Sequence, residues 1–388
     1  MNSTNILRND LNSLTLAFAS MNKPMKANRK TIDTFLHILS EVKDFRQEGK
    51  TVYKLENLLF ICFYLSLKGE FTSFRHVADY VQVKQNWFIR RKLIEKGKVP
   101  SHDTFMRVFQ YLDANSLRDV FLERIKYLMK RLVELDQEAA GKKSLLSGDG
   151  KEIRGSGRKD QSHNINVFNI YNVSNGLCLS STPLVDKDPE IREFQRLLPK
   201  FRLDNCIVTA DALHCQRKTC SIILDHKGEY VITAKGNQQE LRDDIAGKIN
   251  EIRNPEVIKH HNCEYTIMIL KDYIGADWPG AKAYVKMISH KRKGQKDYNA
   301  EPQYFLSSVT NKELIVESID NRWSIEDELH LFKDDFLRED ECTFTNKNAI
   351  KTMAAMNNIV FALYRLAASV NNETMQKPGF AAKMIPWN

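Results

Sequence analysis

Three acidic residues of this chain stand where a reaction on phosphate esters could use them. Asp149 lies between two glycines after the short apolar run of residues 144–147, and Asp211 follows the β-rich run NCIVTA. Glu326 lies in the segment NRWSIEDELHLFKDDF. Divalent cations held by such carboxylates can clamp the attacking and leaving oxygens of a phosphodiester. The residue types therefore allow metal-dependent phosphoryl chemistry, provided that the fold brings the three carboxylates together.

Each aspartate also has a simpler structural interpretation. Asp149 between glycines suits a turn, and Asp211 at the end of a strand suits the cap of a following helix. What the two share is a position at the end of a predicted strand. That shared position favours a common site over two separate structural roles.

The segment around Glu326 carries a helical pattern. Its apolar stripe consists of Ile325, Leu329, Phe332 and Phe336. At about 100° per residue, Arg322, Glu326 and Lys333 fall within about 40° of one another on the helix. A base, an acid and a base in line suit a metal-binding glutamate flanked by cations that hold phosphates. A surface ladder of salt bridges explains the same spacing equally well.

The elements around the aspartates indicate how they could meet. The pattern predicts a strand at 144–147, a hairpin through NINVFNIYNV and residues 177–184, a helix at 190–198, a strand at 205–210, a helix at 215–224 and a strand at 230–234. This order is typical of a mixed α/β sheet. If the first and fourth strands are neighbours, their two aspartates converge at one edge.

The rest of the chain frames this sheet. Helical periodicity runs from Thr31 to about Leu135, strand signals return between about 240 and 310, and a long amphipathic helix is predicted from Asn346 to Val370. We therefore predict an N-terminal arm at 1–30, an all-helical domain at 31–138, an α/β domain at 139–375 with a β-rich insertion at about 240–310, and a tail at 376–388.

A basic stretch lies within the helical domain. The segment QNWFIRRKLIEKGK interleaves aromatic residues with Arg90, Arg91 and Lys92, as a surface that binds a nucleic-acid backbone would. A solvated helix face explains it equally well.

Composition restricts the partners and the compartment. Lys and Arg number 58 against 49 Asp and Glu, and the pI near 9.0 favours polyanionic partners. The seven cysteines are scattered and form no zinc-type pairs, which indicates reduced thiols in a cytoplasmic protein. The longest apolar stretch, residues 58–67, has about half the length needed to cross a bilayer, so we predict no membrane span.

Four blocks of the sequence resemble a known family. SGDGKEIRGS, VTADALHCQ, YVITAKGNQ and RWSIEDELH are similar, in this order, to blocks of bacterial insertion-sequence DDE transposases of the H-repeat-associated type. Upstream, VPSHDTFMRVFQYLD resembles the helical transposase-associated domain of that family, and in all the resemblance covers about residues 40 to 370. It implies an RNase H-like catalytic domain with a β-rich insertion ahead of the glutamate helix.

The resemblance also implies a function. Asp149, Asp211 and Glu326 would be the catalytic and metal-binding triad, with Mg²⁺ as the cofactor and Mn²⁺ as a substitute. The partners would be the terminal inverted repeats of the element and target DNA, bound by a homodimer. Arg322 and Lys333 match the family's basic positions on the glutamate helix and are expected to contact DNA, whereas Ile319 stands where relatives carry a tyrosine.

Three further residues match family blocks without an expected role. They are His163 in QSHNINVF, with Lys187 and Glu190 in the block before the predicted helix at 190–198.

Two other classes of function remain open at this point. One is a catalytically silent or host-adopted DNA-binding protein derived from such a transposase. The other is a sugar or phosphoester hydrolase built on paired carboxylates, which would need neither the helical module nor the basic residues beside Glu326. The presence of all three acids favours the transposase.

Overall fold

The structure is a computed structural model that describes residues 29–121, 143–157, 164–184, 190–250, 252, 255–260, 263–271, 278–290 and 301–370. Its helices are α1 (Arg29–Leu39), α2 (Leu55–Leu67), α3 (Phe74–Val83), α4 (Gln85–Arg90), α5 (His102–Tyr111), α6 (Glu190–Leu197), α7 (Arg217–Asp225), α8 (Gln239–Ile249), α9 (Lys312–Asn321) and α10 (Lys347–Val370). Its strands are β1 (Ser144–Ile153), β2 (Ile165–Asn172), β3 (Leu177–Pro183), β4 (Cys206–Ala210), β5 (Glu229–Ala234), β6 (Glu256–His260), β7 (Cys263–Lys271), β8 (Ala283–His290) and β9 (Gln303–Ser307).

All nine strands join one sheet in the order β3-β2-β1-β4-β5-β9-β8-β7-β6. β1, β4 and β5 are parallel, whereas β2 and β3 form an antiparallel hairpin with β1. This half of the sheet has the RNase H-like order, so the predicted fold class is confirmed. The later strands extend the same sheet antiparallel from β5, which places the predicted β-rich insertion at its far side.

Alternation along the strands separates two apolar layers. Leu146, Val208 and Ile232 point to the face covered by α6, α7 and α8. Their chain neighbours Leu145 and Ile207 point to the opposite face, which is covered by α9. Helix α8 lies where the sequence pattern predicts strand, although its buried residues recur every fourth position; they are Leu241, Ile245 and Ile249.

The N-terminal helices form their core together with α10. In α5, Ser101 caps the helix by accepting from the Thr104 backbone N–H, and Phe105, Val108 and Phe109 are buried. The same apolar cluster contains residues of α10, including Met353. The division into four domains remains a prediction, and residues 1–28 and 371–388 lie outside the described residues.

The six cysteines whose side chains are described are all buried and free. Among the described residues, no helix combines the length and the apolar character that a membrane span requires.

Candidate active site

The pairing of β1 with β4 brings the two aspartates side by side. Gly148 pairs with Ala210 in this parallel ladder, so Asp149 and Asp211 follow at equivalent positions. The prediction that both strands end at the aspartate is wrong for β1, which continues to Ile153 because β2 pairs with it along this length. Asp149 is therefore held within a strand, whereas Asp211 begins a short 3₁₀ turn.

The glycines around Asp149 are explained by close packing rather than by a turn. A Cβ at Gly148 would lie 2.7 Å from the Phe194 ring, and one at Gly150 would lie 2.4 Å from Glu190 Oε2. Both contacts lie on the sheet face opposite to Asp149, because successive residues of a strand alternate. The two glycines allow α6 to approach this strand closely.

Glu326 reaches the site from a segment that departs from α-helical geometry. Ile325–His330 and Phe332–Phe336 are π-helical, so each turn takes up more residues than an α-helix does. The predicted apolar stripe is nevertheless inward, with Ile325 and Leu329 fully buried. Glu328 fixes the segment by accepting from Tyr171 Oη at 2.7 Å and from Arg365 at 2.9 Å.

Asp149, Glu326 and His330 form one tight group, with ligand atoms within 4.8 Å of one another. His330 Nδ1 lies 3.6 Å from Asp149 Oδ2 and 3.5 Å from Glu326 Oε2. The sequence interpretation missed His330, although its position four residues after Glu326 was a usable signal. His330 is buried, whereas the Glu326 side chain is half exposed and faces outward.

The two carboxylates of this group affect each other's protonation. Burial raises the pKa of Asp149, and the Glu326, Glu190 and Asp211 carboxylates raise it further. The hydrogen bond with His330 lowers the pKa of Glu326. Burial lowers the pKa of His330, which keeps the imidazole neutral. Burial and the neighbouring carboxylates thus favour the protonated form of Asp149 when no cation is bound, whereas Glu326 stays ionised.

Asp211 lies beside this group but outside its tight core. Its Oδ1 accepts from the Leu213 backbone N–H at 3.0 Å, so part of the carboxylate serves as the cap that the simpler interpretation proposed. The side chain is 43% exposed, which leaves it accessible from the same side as Glu326. The Asp211 charge also raises the pKa of Asp149.

Glu190, a secondary candidate from the sequence, contacts His214, which lies next to Asp211. Its Oε1 lies 3.0 Å from Nε2 of the fully buried His214, and the same nitrogen lies 3.8 Å from Asp211 Oδ1. Phe194 packs against the His214 ring with centroids 4.6 Å apart. Glu190 and His214 therefore support Asp211 from the interior. The other secondary candidates, at positions 163 and 187, lie outside the described residues.

Arg322 is a cation that interacts electrostatically with all three carboxylates. Its guanidinium stacks on the Trp323 ring at 4.1 Å, and its buried Nε has no hydrogen-bond partner within the described structure. Burial lowers the pKa of Arg322, whereas the Asp211, Asp149 and Glu326 charges raise it. Arg322 therefore partly balances the carboxylates and retains donor capacity.

Lys333 does not share a surface with Arg322 and Glu326. Its side chain is fully buried, and Nζ donates to Asn169 Oδ1 at 3.2 Å and to Ser181 Oγ at 3.4 Å. The helical-wheel geometry used for the sequence prediction is wrong for this segment because π turns change the angle between successive side chains. In this arrangement the Lys333 ammonium is inaccessible to a DNA phosphate.

The basic stretch contains one short helix. α4 ends at Arg90, and Lys92 has a positive φ of 56° that turns the chain. Arg90 and Lys92 are exposed, and the Arg91 guanidinium stacks on Trp87 at 3.9 Å. These residues lie far along the chain from the carboxylates, and their contact with DNA remains a prediction.

The carboxylate oxygens of Asp149 and Glu326 are suitable ligands for a hard divalent cation. Asp149 Oδ2 is buried and accepts no hydrogen bond from the described residues, so an acceptor with a high desolvation cost faces the group unsatisfied. Carboxylate oxygens are the ligands that Mg²⁺ and Mn²⁺ prefer. Asp149 and Glu326 could hold such an ion, and Asp211 could join them from the same edge.

Comparison with known proteins gives a consistent result along most of the chain. The family model described as "Transposase DDE domain" matches residues 136–363, and the one described as "DDE_Tnp_1-associated" matches residues 36–124. "Putative transposase YncI" of Escherichia coli O157:H7 is 25% identical over 89% of this chain and 91% of its own. "H repeat-associated putative transposase YhhI" of Escherichia coli K12 is 23% identical over 89% and 92%.

One solved structure is similar at a lower level. A piggyBac transposase synaptic complex with hairpin DNA has a TM-score of 0.44 and 14% identity, over 91% of this chain and 77% of that one.

Proposed function

Because this chain belongs to the transposase DDE domain family, we propose that it cleaves DNA at the ends of an insertion sequence and joins those ends to target DNA. The observation that carries the proposal is the group of Asp149 and Glu326, whose carboxylates converge from a strand and a π-helical segment while a buried Asp149 oxygen accepts no hydrogen bond from the described residues. Family membership places the chain among nucleic-acid enzymes, and the carboxylate geometry supports the reaction type.

Asp149, Asp211 and Glu326 are the residues that would hold the divalent cations. When bound, such cations lower the pKa of an attacking water or hydroxyl and stabilise the charge on the phosphorus and on the leaving oxygen. Arg322 lies close enough to these carboxylates to bind a non-bridging phosphate oxygen through its free donors. The Glu190–His214 pair would keep Asp211 in place while its exposed side faces the substrate.

Two reactions follow one another in this proposal. In the first, water attacks a phosphodiester at the element end, a new P–O bond forms, and the 3′ oxygen leaves and takes up a proton. In the second, that 3′ hydroxyl attacks a phosphodiester of the target, and the 3′ oxygen of the target strand leaves. The second reaction joins the strands without a net change in the number of phosphodiester bonds.

The carboxylate assignment is tested by cleavage of a supercoiled plasmid that carries the flanking sequences of the gene, in the presence of Mg²⁺. We expect nicking at the element ends by the native protein and a rate about 10⁴-fold lower for Asp211→Asn and Glu326→Gln, the scale on which one catalytic carboxylate acts. Asp327→Asn, an exposed neighbour on the same segment, is the matched control and should cleave normally.

Each alternative has its own outcome in this experiment. Specific binding to the ends without cleavage by the native protein would favour a silent DNA-binding derivative. Cleavage that survives both Asp211→Asn and Glu326→Gln would contradict the proposed triad.

Arg90, Arg91 and Lys92 are proposed to contact the DNA backbone of the terminal repeats, since Arg90 and Lys92 are exposed beside the stacked Arg91 and Trp87 pair. A double change of Arg90 and Lys92 to Ala should weaken binding uniformly across sequences. The slope of the logarithm of the binding constant against the logarithm of the salt concentration should become shallower by about two, one unit for each lost phosphate contact. Unchanged salt dependence would remove this surface from the proposal. Two element ends would require two protomers, and sedimentation of the complex with end DNA tests this stoichiometry.

A further inference from the structure

His330 has two ring nitrogens in different environments. Nδ1 faces the Asp149 and Glu326 carboxylates, and Nε2 lies 3.2 Å from the side-chain amide nitrogen of Asn169. A neutral imidazole carries its hydrogen on one nitrogen and a lone pair on the other. The position of that hydrogen decides whether His330 donates to the carboxylates or offers them a lone pair that could bind a metal ion.

The orientation of the Asn169 amide determines the answer, and two neighbours fix it. Lys333 Nζ, which can only donate, lies 3.2 Å from one end of the amide. The Val167 carbonyl oxygen, which can only accept, lies 3.3 Å from the other end. The end beside Lys333 must therefore be the oxygen, and the end beside Val167 must be the NH₂ group. The reversed orientation would place two donors face to face and two acceptors face to face.

A third contact agrees with this orientation. The Ser181 hydroxyl donates to the same Asn169 oxygen that Lys333 contacts. Asn169 and Lys333 are both fully buried, so water cannot replace a mismatched partner at little cost. Asn169 is also the cross-strand neighbour of Asp149, which places the amide directly beside the carboxylate cluster.

The Asn169 NH₂ group therefore donates to His330 Nε2, and the hydrogen of the ring must lie on Nδ1. We propose that His330 is a positioning residue, held by Lys333 and Asn169 in the Nδ1–H tautomer, which directs this N–H toward the Asp149 and Glu326 carboxylates, with Nδ1 3.6 Å and 3.5 Å from their oxygens, and does not bind the metal ion. The relevance to metal binding rests on the proposed function, whereas the tautomer itself does not.

The sequence predicts that Lys333 contacts DNA, whereas this inference gives the buried Lys333 a role inside the protein. The Lys333 ammonium orients an amide, the amide selects a tautomer, and the imidazole orients two carboxylates. With the Nδ1 lone pair replaced by a hydrogen, the cation would receive oxygen ligands only. Such a donor set favours Mg²⁺ or Mn²⁺ over Zn²⁺.

The tautomer is measured directly by ¹⁵N NMR of the histidine side chains in the metal-free, full-length protein. His330→Gln identifies the His330 signals by their loss. We expect Nε2 to show the resonance of an unprotonated ring nitrogen and Nδ1 that of a protonated one. The reverse pattern, or protonation of both nitrogens, would overturn the inference.

Asn169→Asp tests whether the amide sets the tautomer. A carboxylate can only accept, so the ring hydrogen should move to Nε2 and the unprotonated resonance should move to Nδ1. Asn358→Asp is the matched control, because Asn358 donates to the Ser181 hydroxyl rather than to His330 and should leave the tautomer unchanged. An unaltered spectrum in Asn169→Asp would show that another group controls the ring.

Metal ligation is tested with Mn²⁺ as the probe. In pulsed EPR of the native protein loaded with Mn²⁺, we expect no nitrogen coupling from a coordinated imidazole. A coupling that disappears in His330→Gln would overturn the inference. We also expect Asn169→Asp to lower Mn²⁺ affinity by about 10- to 100-fold, the usual effect of removing a residue that orients metal ligands, and retained affinity would contradict the positioning role.

These readouts separate the inference from the proposed function. A protein that binds no Mn²⁺ and cleaves no DNA would contradict the proposed function, whereas the NMR experiment would still confirm or overturn the tautomer.

Discussion

Two clusters of charged side chains include residues of the π-helical segments at 325–336, and they are built in opposite ways. The open cluster consists of Asp149, Asp211 and Glu326. The closed cluster consists of Lys151, Lys333, Asp334, Glu339 and Asp340. In the open cluster a buried oxygen of Asp149 accepts no hydrogen bond from the described residues, and two of the carboxylates are substantially exposed.

In the closed cluster the charges are matched inside the protein. Lys151 Nζ lies 2.6 Å from Asp334 Oδ1, 3.4 Å from Glu339 Oε2 and 3.2 Å from Asp340 Oδ1. Asn357 donates to Glu339 at 3.0 Å. Acidic residues in neighbouring segments therefore have two roles: the exposed carboxylates around Asp149 suit an external cation, and those paired with Lys151 stabilise the fold.

The largest effect is expected from Lys151→Met, which removes the central cation of the closed cluster. Glu339 would stay buried without this partner, and breaking a buried ion pair costs about 3–5 kcal/mol. The free energy of unfolding, measured with urea, should fall by that amount. Arg202→Ala removes an exposed pair with Asp204 and serves as the control, which should show no resolved change. A loss no greater than that of the control would mean that the closed cluster does not stabilise the fold.

A smaller effect should appear in the open cluster when a divalent cation is added. At a concentration of 100 times its dissociation constant, Mg²⁺ should raise the free energy of unfolding by about 2.7 kcal/mol. Glu326→Gln should lose this gain, and Asp327→Asn on the same segment should keep it. Equal stabilisation of both variants would place the cation elsewhere.

Asp149→Asn should stabilise the metal-free protein by on the order of 1–2 kcal/mol, because burial and the nearby Glu326 and Asp211 charges make the Asp149 carboxyl costly to ionise. Thermal unfolding in the presence of a chelator measures the gain. This is the opposite of what removing a charge does in the closed cluster. A loss of stability would show that Asp149 stabilises the metal-free protein, as the charged residues of the closed cluster do.

The smallest expected effect is a change of stability at acid pH that depends on Glu339. Although burial raises the pKa of Glu339, Lys333, Lys151 and the Asn357 hydrogen bond lower it overall. A lowered pKa in the folded state stabilises the protein above the pKa of the unfolded chain, and this stabilisation is lost as the pH falls through the folded value. The free energy of unfolding should therefore decrease below about pH 4.3, with a shallower decrease in Glu339→Gln. Parallel curves would contradict this assignment.

The sequence predicts more of the fold than of the site. The order of strands and helices around Asp149 and Asp211 follows from the spacing of apolar residues along the chain. The direction of Lys333 could not be predicted, since no residue pattern signals that residues 325–336 wind as π turns.

The long-range contacts of the site were also out of reach. His330 meets Asn169 across 161 positions, and the sequence holds no signal for that pairing. By contrast, His330 itself could have been found from its spacing to Glu326, and helix α8 from its buried residues at every fourth position. Local periodicity was informative, whereas side-chain pairings between distant elements required the three-dimensional structure.

The core that the N-terminal helices share with α10 has a consequence for synthesis of the chain. Residues 32–121 leave the ribosome first, but their apolar cluster is completed by Met353, Met356 and Val360 of α10. At about 5–20 residues per second, the early helices wait roughly ten seconds to a minute for that partner. During this interval they expose an apolar face that chaperones or other nascent chains can bind. The N-terminal helices can therefore complete their core only after α10 has been synthesised.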